Sequence, residues 1–240
     1  MDNLTMQKSQ KFISLFKKLE RLVSDKSSLP KETSISKKLS ELTGENNVFG
    51  FYKKDIQRLT ELRNVIIHGS VEDGRAIAEP HDEIISKLEE IVEKIENPPR
   101  VYPEFHSKIE TIETEIQISV ALDKMYEGDY SQLPVLENEN FVDLLTSDTI
   151  VRWIAANKEE GGYLLENVTI REVLTYKEFD ENYKFISRNT TLIEALKVFE
   201  EVEYKKQPLD ALLITNDGKK EQKLLGIITH YDVSRMVSLI

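Results

Sequence analysis

One local pattern occurs twice in the second half of the chain, and it limits the folds that this half can adopt. In each copy, an apolar run typical of a strand is followed by a threonine and by the start of a helix. The two copies are Asp143–Ile150 and Gly226–Val233. Because two copies of one supersecondary unit can bury each other's apolar sheet faces, the duplication predicts a paired α/β domain.

The elements around the two copies follow one order, which is helix, strand, strand and helix. In the first copy, a helix with Ala121, Leu122 and Met125 is followed by strands at 133–136 and 141–145 and by a helix at 150–156. In the second copy, a helix with Ala195, Leu196 and Phe199 is followed by strands at 211–214 and 224–228 and by a helix at 233–239. The second copy is longer, and its extra residues fall at 200–209 and 216–223, where loops tolerate insertions.

Residues 1–98 show helical periodicity and predict an all-α bundle. We expect a short helix that ends at Gly44, a turn at 46–50, and a helix at 51–68 that ends at Gly69. Tyr52 and Val65 are among the residues predicted to face inward from that helix. A last helix at 81–96 ends at Asn97, Pro98 and Pro99. The first helix carries an apolar stripe of Phe12, Leu15, Phe16, Leu19, Leu22 and Val23, and the short one carries Ile35, Leu39 and Leu42.

The predicted fold class is therefore α+β with more than one domain. A helical domain covers 1–98, and a tandem α/β pair covers 99–240. Within the pair, repeat one spans about 101–157 and repeat two about 168–240.

Composition and charge exclude several classes of function. The 240 residues include no cysteine, which excludes disulfides, thiolate metal sites and cysteine nucleophiles. The start of the chain has no apolar segment of the signal-peptide type, and no run is long enough to span a bilayer, so we expect a cytoplasmic protein without a membrane partner. The net charge is −11, but residues 1–60 hold 12 Lys and Arg against 7 Asp and Glu. No DNA partner is indicated, whereas a basic face near the start could attract RNA or be a solvated helix surface.

The second copy of the duplicated pattern has the spacing Gly-x-x-Thr-x-x-Asp in Gly226, Thr229 and Asp232. The strand of repeat one at 132–135 is preceded by Asp129-Tyr130. These features resemble the CBS domain family over about 105–157 and 168–240. The resemblance implies a tandem CBS-like βαββα pair whose clefts often hold an adenine nucleotide or a related adenosyl ligand. It nominates Thr229 and Asp232 as ligand-binding residues, together with Thr146 and Thr149 of the first copy.

The first copy departs from the family pattern. Thr149 stands in place of the aspartate, and Asp143 stands in place of the glycine. Threonine can cap a helix but is a poorer ligand for ribose hydroxyls, so a single or unusual ligand is expected. A structural interpretation also competes for Asp232, because Thr and Asp are favoured helix caps with or without a ligand.

A second motif, Arg63-Asn64-Val65-Ile66-Ile67-His68, lies near the end of the predicted third helix, where Asn64 and His68 share a face. The Arg-Asn-x-x-x-His string in a small helical domain resembles the HEPN family, many of whose members are metal-independent ribonucleases. The resemblance implies catalytic roles for Arg63, Asn64 and His68 at a dimer interface. A structural interpretation competes here as well, with His68 at the helix C-terminus and Arg63 paired with Glu61 or Asp55. Basic residues that could contact RNA are Lys8, Lys11, Lys17, Lys18, Lys53 and Lys54.

The sequence favours a regulatory protein in which the CBS-like pair senses an adenosine-type ligand and a dimeric helical domain responds. Both resemblances imply a homodimer, and no cofactor or metal other than that ligand is predicted. Two alternatives stay open. One is a ligand-regulated, metal-independent endoribonuclease that uses Arg63 and His68, and the other is a dimerisation scaffold that binds no ligand.

Overall fold

The structure, a computed structural model, describes residues 2–42, 48–68, 78–157, 165, 167–205 and 209–240, except for the side chains of 2–7 and 202–205. The chain divides into two units. The first contains residues 1–99 together with 192–194 and 239–240, and the second contains 100–191 and 195–238.

The first unit is helix-rich in its described residues. Its helices are α1 (Asp2–Lys26), α2 (Ile35–Leu42), α3 (Val48–Phe51), α4 (Lys53–His68) and α5 (Asp82–Glu96). Helices α1 and α5 run parallel, and three ion pairs join them: Lys8–Asp82, Lys11–Glu89 and Lys18–Glu96. The last two ion pairs are seven residues, or two helical turns, apart on both helices. They therefore lie along the same line of contact between α1 and α5. The buried apolar residues of α1 are Phe12, Phe16, Leu19 and Val23.

A buried lysine joins the end of α1 to α2. Lys38 is 2% exposed, and its ammonium group donates to Ser24 Oγ at 3.0 Å and to the Lys31 carbonyl at 2.9 Å. These hydrogen bonds offset the free-energy cost of burying the ammonium group of Lys38. The connecting segment between the two helices is thereby fixed from inside.

Two details of this unit differ from the sequence prediction. Val48–Phe51 form the short helix α3, although a turn was expected at 46–50. Val65 was expected to face inward but is 46% exposed. Helix α4 buries Ile56, Leu59 and Ile66, and Val65 lies about 180° around the helix from Ile56. Gly44 and Gly69, the predicted stops, lie outside the described residues.

The second unit contains two three-stranded sheets with one topology. In repeat one, β1 (Ile112–Glu113) pairs parallel with β2 (Gln132–Glu137), which pairs antiparallel with β3 (Asn140–Thr146). In repeat two, β4 (Tyr183–Ser187), β5 (Ala211–Thr215) and β6 (Gly226–Thr229) repeat that arrangement. The predicted strand at 224–228 was therefore placed too early, since Leu224 and Leu225 precede β6.

Helices flank each sheet along the chain. Repeat one contains α6 (Val101–Glu104), α7 (Ile118–Gly128) and α8 (Ser147–Ala156), and repeat two contains α9 (Ile170–Leu174), α10 (Leu192–Lys205) and α11 (Val233–Leu239). A three-residue 3-10 turn, His230–Asp232, separates β6 from α11. One core packs α7, α8 and α9 against the first sheet and contains Trp153.

A second core lies between the two sheets. It contains Phe141 and Leu144 of β3 with Ala211 and Leu213 of β5. The ring of Phe141 contacts those of Tyr183 and Phe185 edge-on at 5.0 and 5.2 Å. The two repeats thus bury each other's sheet faces, which is the arrangement that the duplicated pattern predicts.

The segment after α6 passes close to the start of β6. Phe105 is buried, and its carbonyl oxygen lies so near Gly226 that a Cβ there would be 2.1 Å from it. Arg235 of α11 holds this segment from the other side, since its guanidinium lies 4.7 Å from the Phe105 ring and donates to the Glu104 carbonyl at 2.9 Å. The glycine of the duplicated motif is therefore required by a backbone approach within the second unit.

Candidate ligand cleft

A cleft of about 500 Å³ lies between the two repeats. One wall comes from the junction of α7 and β2 in repeat one, and the other comes from the end of β6 and the turn that follows it in repeat two. The lining residues are Asp129, Tyr130, Ser131, Gln132, Ile227, Thr229, Tyr231 and Asp232. Any occupant of this cleft would contact both repeats at once.

The first wall is shaped by the way α7 ends. Asp129 adopts a left-handed conformation, with φ of 53°, and its backbone N–H donates to the Met125 carbonyl. This C-cap turns the chain sharply, and the Tyr130 ring then lies over Gly128, where an added Cβ would be 2.2 Å from the ring. Tyr130 is 44% exposed, and part of its ring faces the cleft.

The second wall contains the two motif residues that the sequence nominated. Asp232 Oδ2 accepts hydrogen bonds from the backbone N–H of Thr229 at 2.9 Å and from its hydroxyl at 3.2 Å. Asp232 is therefore a capping residue and a lining residue at the same time. The capping interpretation of Asp232 is observed, and its role in ligand binding stays a prediction.

Tyr231 extends the second wall into solvent. It is 88% exposed and lines the cleft opposite Tyr130. An exposed aromatic ring can contact a ligand without losing packing contacts within the protein, and it offers a flat apolar surface. Asp129, Tyr130 and Tyr231 belong to the sequence motifs, but motif spacing does not place them in a cleft. The available signal was a tyrosine at a helix start.

The sequence matches the family model described as CBS domain over residues 104–156 and 170–239, just over half of the chain. The chain belongs to the CBS domain family. A search of the curated proteins finds no match.

Solved structures with CBS domains resemble the second half of the chain. A conserved CBS domain protein from Thermoplasma acidophilum is 22% identical, with a TM-score of 0.42 over 57% of this chain and 67% of that one. CBSX2, solved in complex with AMP, is 14% identical, with a TM-score of 0.42 over 59% and 97%. The CBS domain pair of protein MJ0100, solved with 5′-methylthioadenosine and S-adenosyl-L-methionine, is 18% identical, with a TM-score of 0.39 over 56% and 93%.

In the first CBS repeat, the corresponding threonines are buried. Thr146 caps α8 by accepting from the backbone N–H of Thr149 at 3.2 Å, and the two hydroxyls are 3.0 Å apart. Both residues are under 7% exposed, and neither lines the cleft described above. Their hydroxyls thus bond to each other inside the CBS pair.

At the glycine position of the first CBS repeat, Asp143 forms a partly buried ion pair. Its Oδ2 lies 2.5 Å from Lys177 Nζ, and the two side chains are 12% and 24% exposed. Oδ1 accepts from the Leu144 backbone N–H at 2.9 Å. Burial chiefly, and then the Asp143 and Glu181 carboxylates, raise the pKa of Tyr183 to about 12.

Because the CBS repeat is duplicated, the ligand cleft has an equivalent position formed by the other ends of the two repeats. Two carboxylates, Asp210 and Asp148, lie at that position. Asp210 precedes β5, as Ser131 precedes β2. Asp148 lies in the first turn of α8, two residues after β3, as Tyr231 lies in the 3-10 turn two residues after β6. Burial chiefly, and the nearby Asp148 carboxylate, raise the pKa of Asp210, against the lowering effects of an Asn182 hydrogen bond and His230. The two repeats of the CBS pair thus present different chemistry at equivalent positions.

The raised pKa of Asp210 predicts a pH-dependent stability effect. The folded state binds the proton of Asp210 more tightly than the unfolded state does. The contribution of this proton to the free energy of unfolding is therefore lost as the pH rises through the pKa that Asp210 has in the folded state. Asp210→Asn should therefore raise the melting temperature, relative to the original chain, more at about pH 7 than at about pH 3.5. Thermal denaturation at both pH values measures this, and Asp148→Asn should give a smaller change of the same sign. A larger rise in the melting temperature of Asp210→Asn at the lower pH than at the higher pH would contradict the raised pKa of Asp210.

The Arg63–His68 motif lies at the end of α4, where Arg63 is partly buried and Ile66 is buried. Arg63 donates to Asn64 Oδ1 at 3.1 Å and lies 3.8 Å from Glu20 of α1, a different partner from the Glu61 or Asp55 that the sequence suggested. Asn64 and His68 are both exposed. Three of the lysines proposed for RNA contact, Lys8, Lys11 and Lys18, form the ion pairs with α5, which offset their charge.

The residues that the structure describes contain no group of three or more His, Asp or Glu residues placed to hold a metal ion. No helix among them has the length and apolar character needed to cross a membrane.

Proposed function

We propose that this protein is a regulator that binds an adenosine-type ligand in the cleft between its CBS repeats. The observation that carries the proposal is the convergence of Thr229, Asp232 and two tyrosines on one cavity of about 500 Å³. This volume lies in the range of small-molecule sites, which combine apolar or aromatic walls with a few polar groups that fix orientation.

Each part of the cleft suits one part of a nucleoside. Within the described residues, the hydrogen bonds to Asp232 end on Oδ2, so Oδ1 can accept from ribose hydroxyls. The rings of Tyr130 and Tyr231, with Ile227, provide surfaces against which a purine can stack. A ligand held in this way would favour one arrangement of the two repeats over others. The helical first unit would then respond to that change.

Asp232→Asn tests the proposal. Asparagine can still accept the Thr229 backbone bond, so the fold should be kept, but the loss of charge should weaken adenosine binding about tenfold. Isothermal titration calorimetry with adenosine measures the effect. Asp148→Asn, at the corresponding turn of repeat one and outside the cleft, is the matched control and should bind as the original chain does. Equal affinity in both variants would argue against the role of Asp232.

We infer that the regulator acts as a homodimer. A groove of about 500 Å³ between α7 and α8 is lined mainly by apolar residues, and Tyr126 and Val151 at its edge are 90% and 61% exposed. A second copy of the chain that covers this groove would bury those side chains. The groove shares Asp129 and Tyr130 with the ligand cleft, so dimerisation and ligand binding would affect each other.

Val151→Glu should convert the dimer to a monomer of 27.8 kDa, because it places a charge in the apolar groove. Light scattering after size-exclusion chromatography measures the mass in solution. Phe179→Glu changes an exposed apolar residue outside the groove and serves as the control. A monomer in the unmodified chain, at all concentrations tested, would exclude this interface.

A further inference from the structure

The described lining of the ligand cleft carries negative charge without a compensating cation. Among the residues that the structure describes, the lining contains two carboxylates, Asp129 and Asp232, and no Lys, Arg or His. A phosphate at neutral pH carries one to two negative charges. Like charges in a partly desolvated cavity repel, so the cleft disfavours a phosphorylated ligand.

Both donors of the motif threonine are already used within the motif. Thr229 has one backbone N–H and one hydroxyl hydrogen, and both donate to Asp232 Oδ2. What the Thr229 side chain can offer a ligand is therefore an acceptor, which suits a ribose hydroxyl and not a phosphate oxygen. The same bonds fix the Asp232 carboxylate in the cleft wall.

The lysine or arginine nearest to Asp232 along the chain makes contacts outside the cleft, and His230 Nε2 is 3.0 Å from the Leu209 carbonyl. Arg235 follows Asp232 by one helical turn, but its guanidinium donates to the Glu104 carbonyl and lies against the Phe105 ring. Turning it toward the cleft would break both contacts. The cleft wall therefore gains no cation from this helix without a loss of packing.

We infer that the cleft selects adenosyl compounds that carry no phosphate, and that a positive charge on the 5′ substituent strengthens their binding. A sulfonium such as that of S-adenosylmethionine supplies such a charge, and its ammonium group adds another. This inference rests on the proposed function, since it specifies the ligand of the same cleft. It predicts the order S-adenosylmethionine, adenosine, AMP and ATP, from tightest to weakest.

The test is calorimetric titration of the full chain with these four compounds, without divalent cations that would neutralise phosphate. AMP should bind at least about tenfold more weakly than adenosine, and ATP more weakly still. AMP binding equal to or tighter than adenosine binding would overturn the inference and leave the proposed function standing. Failure of all four compounds to bind would refute the proposed function, and the inference with it.

Asp129→Asn tests the electrostatic cause. Asparagine tolerates the left-handed backbone of this position, so the wall should keep its shape. The variant should reduce the ratio of the AMP dissociation constant to the adenosine dissociation constant by about fivefold. It should also weaken the binding of S-adenosylmethionine. Asp123→Asn, on the exposed side of α7 and outside the cleft, should leave all affinities unchanged. An unchanged ratio of AMP to adenosine affinity in Asp129→Asn would overturn the inference.

Discussion

Replacing Gly226 with alanine should destabilise the CBS pair by about 3 kcal/mol. The new methyl group would lie 2.1 Å from the carbonyl oxygen of Phe105 and 3.0 Å from the Ile214 side chain. Backbone cannot rotate away as a side chain can, and Arg235 holds the Phe105 segment in place. The strand or the segment must therefore shift, with loss of packing in the core between the sheets. Thermal denaturation should show a melting temperature lower by about 10 °C.

Gly128→Ala is the matched control for this prediction. The three atoms nearest to its Cβ would all belong to the ring of Tyr130, an exposed side chain that can move into solvent. We expect a small change in melting temperature together with weaker adenosine binding, because the displaced ring belongs to the cleft wall. If Gly226→Ala were as stable as Gly128→Ala, the close approach of Phe105 would not be a constraint on the fold.

The second large effect is expected at the ion pair of Asp143 and Lys177. Lys177→Met leaves the Asp143 carboxylate 12% exposed without its cation, and it also removes the bond from Lys177 to the Asp180 carbonyl. An unpaired, partly buried charge should reduce the free energy of unfolding by about 2 kcal/mol. Chemical denaturation of the full chain measures this loss. Lys184→Met, an exposed lysine of β4, should change stability little.

A double variant separates the charge from the packing. Asp143→Asn removes the carboxylate, so adding it to Lys177→Met should recover part of the lost stability. The two substitutions are then non-additive, as expected for groups in direct contact. Additive losses would mean that the ion pair contributes nothing and that Lys177 acts through its hydrocarbon stem.

Local patterns in the sequence predicted much of the repeat architecture. The α7, α8, β2 and β3 elements of repeat one lie where alternation and helical spacing placed them. The strands β1 and β4 were not located. β1 has only two residues, and both strands pair with a partner about twenty or more residues away, which no local window contains. The repeat order was visible because each copy carries its own motif.

The candidate site was only partly predictable for the same reason. Thr229 and Asp232 belong to a short motif and could be nominated from it. The facing wall comes from Asp129–Gln132, nearly a hundred residues earlier, and its approach depends on how the two sheets pack. The spacing of the motif residues predicts neither the charge of the cleft nor the hydrogen bond that the Thr229 hydroxyl donates to Asp232.

In the helical unit, the sequence did not predict the partners of several charged side chains. Arg63 was expected to pair within its own helix and instead lies near Glu20 of α1. Lysines that could have faced RNA pair with α5, since two parallel helices with opposite charge at matching positions attract each other. Such pairings depend on which helices become neighbours.

The division of the cleft between the two repeats has a consequence for unfolding. A state in which one repeat has opened keeps only half of the cleft walls and has no complete site for a ligand. A ligand of the proposed kind should therefore stabilise the fully folded pair but not partly unfolded states, by an amount set by its concentration relative to the dissociation constant. At high ligand concentration the two repeats should unfold together in one transition, and their cooperativity becomes a readout of occupancy.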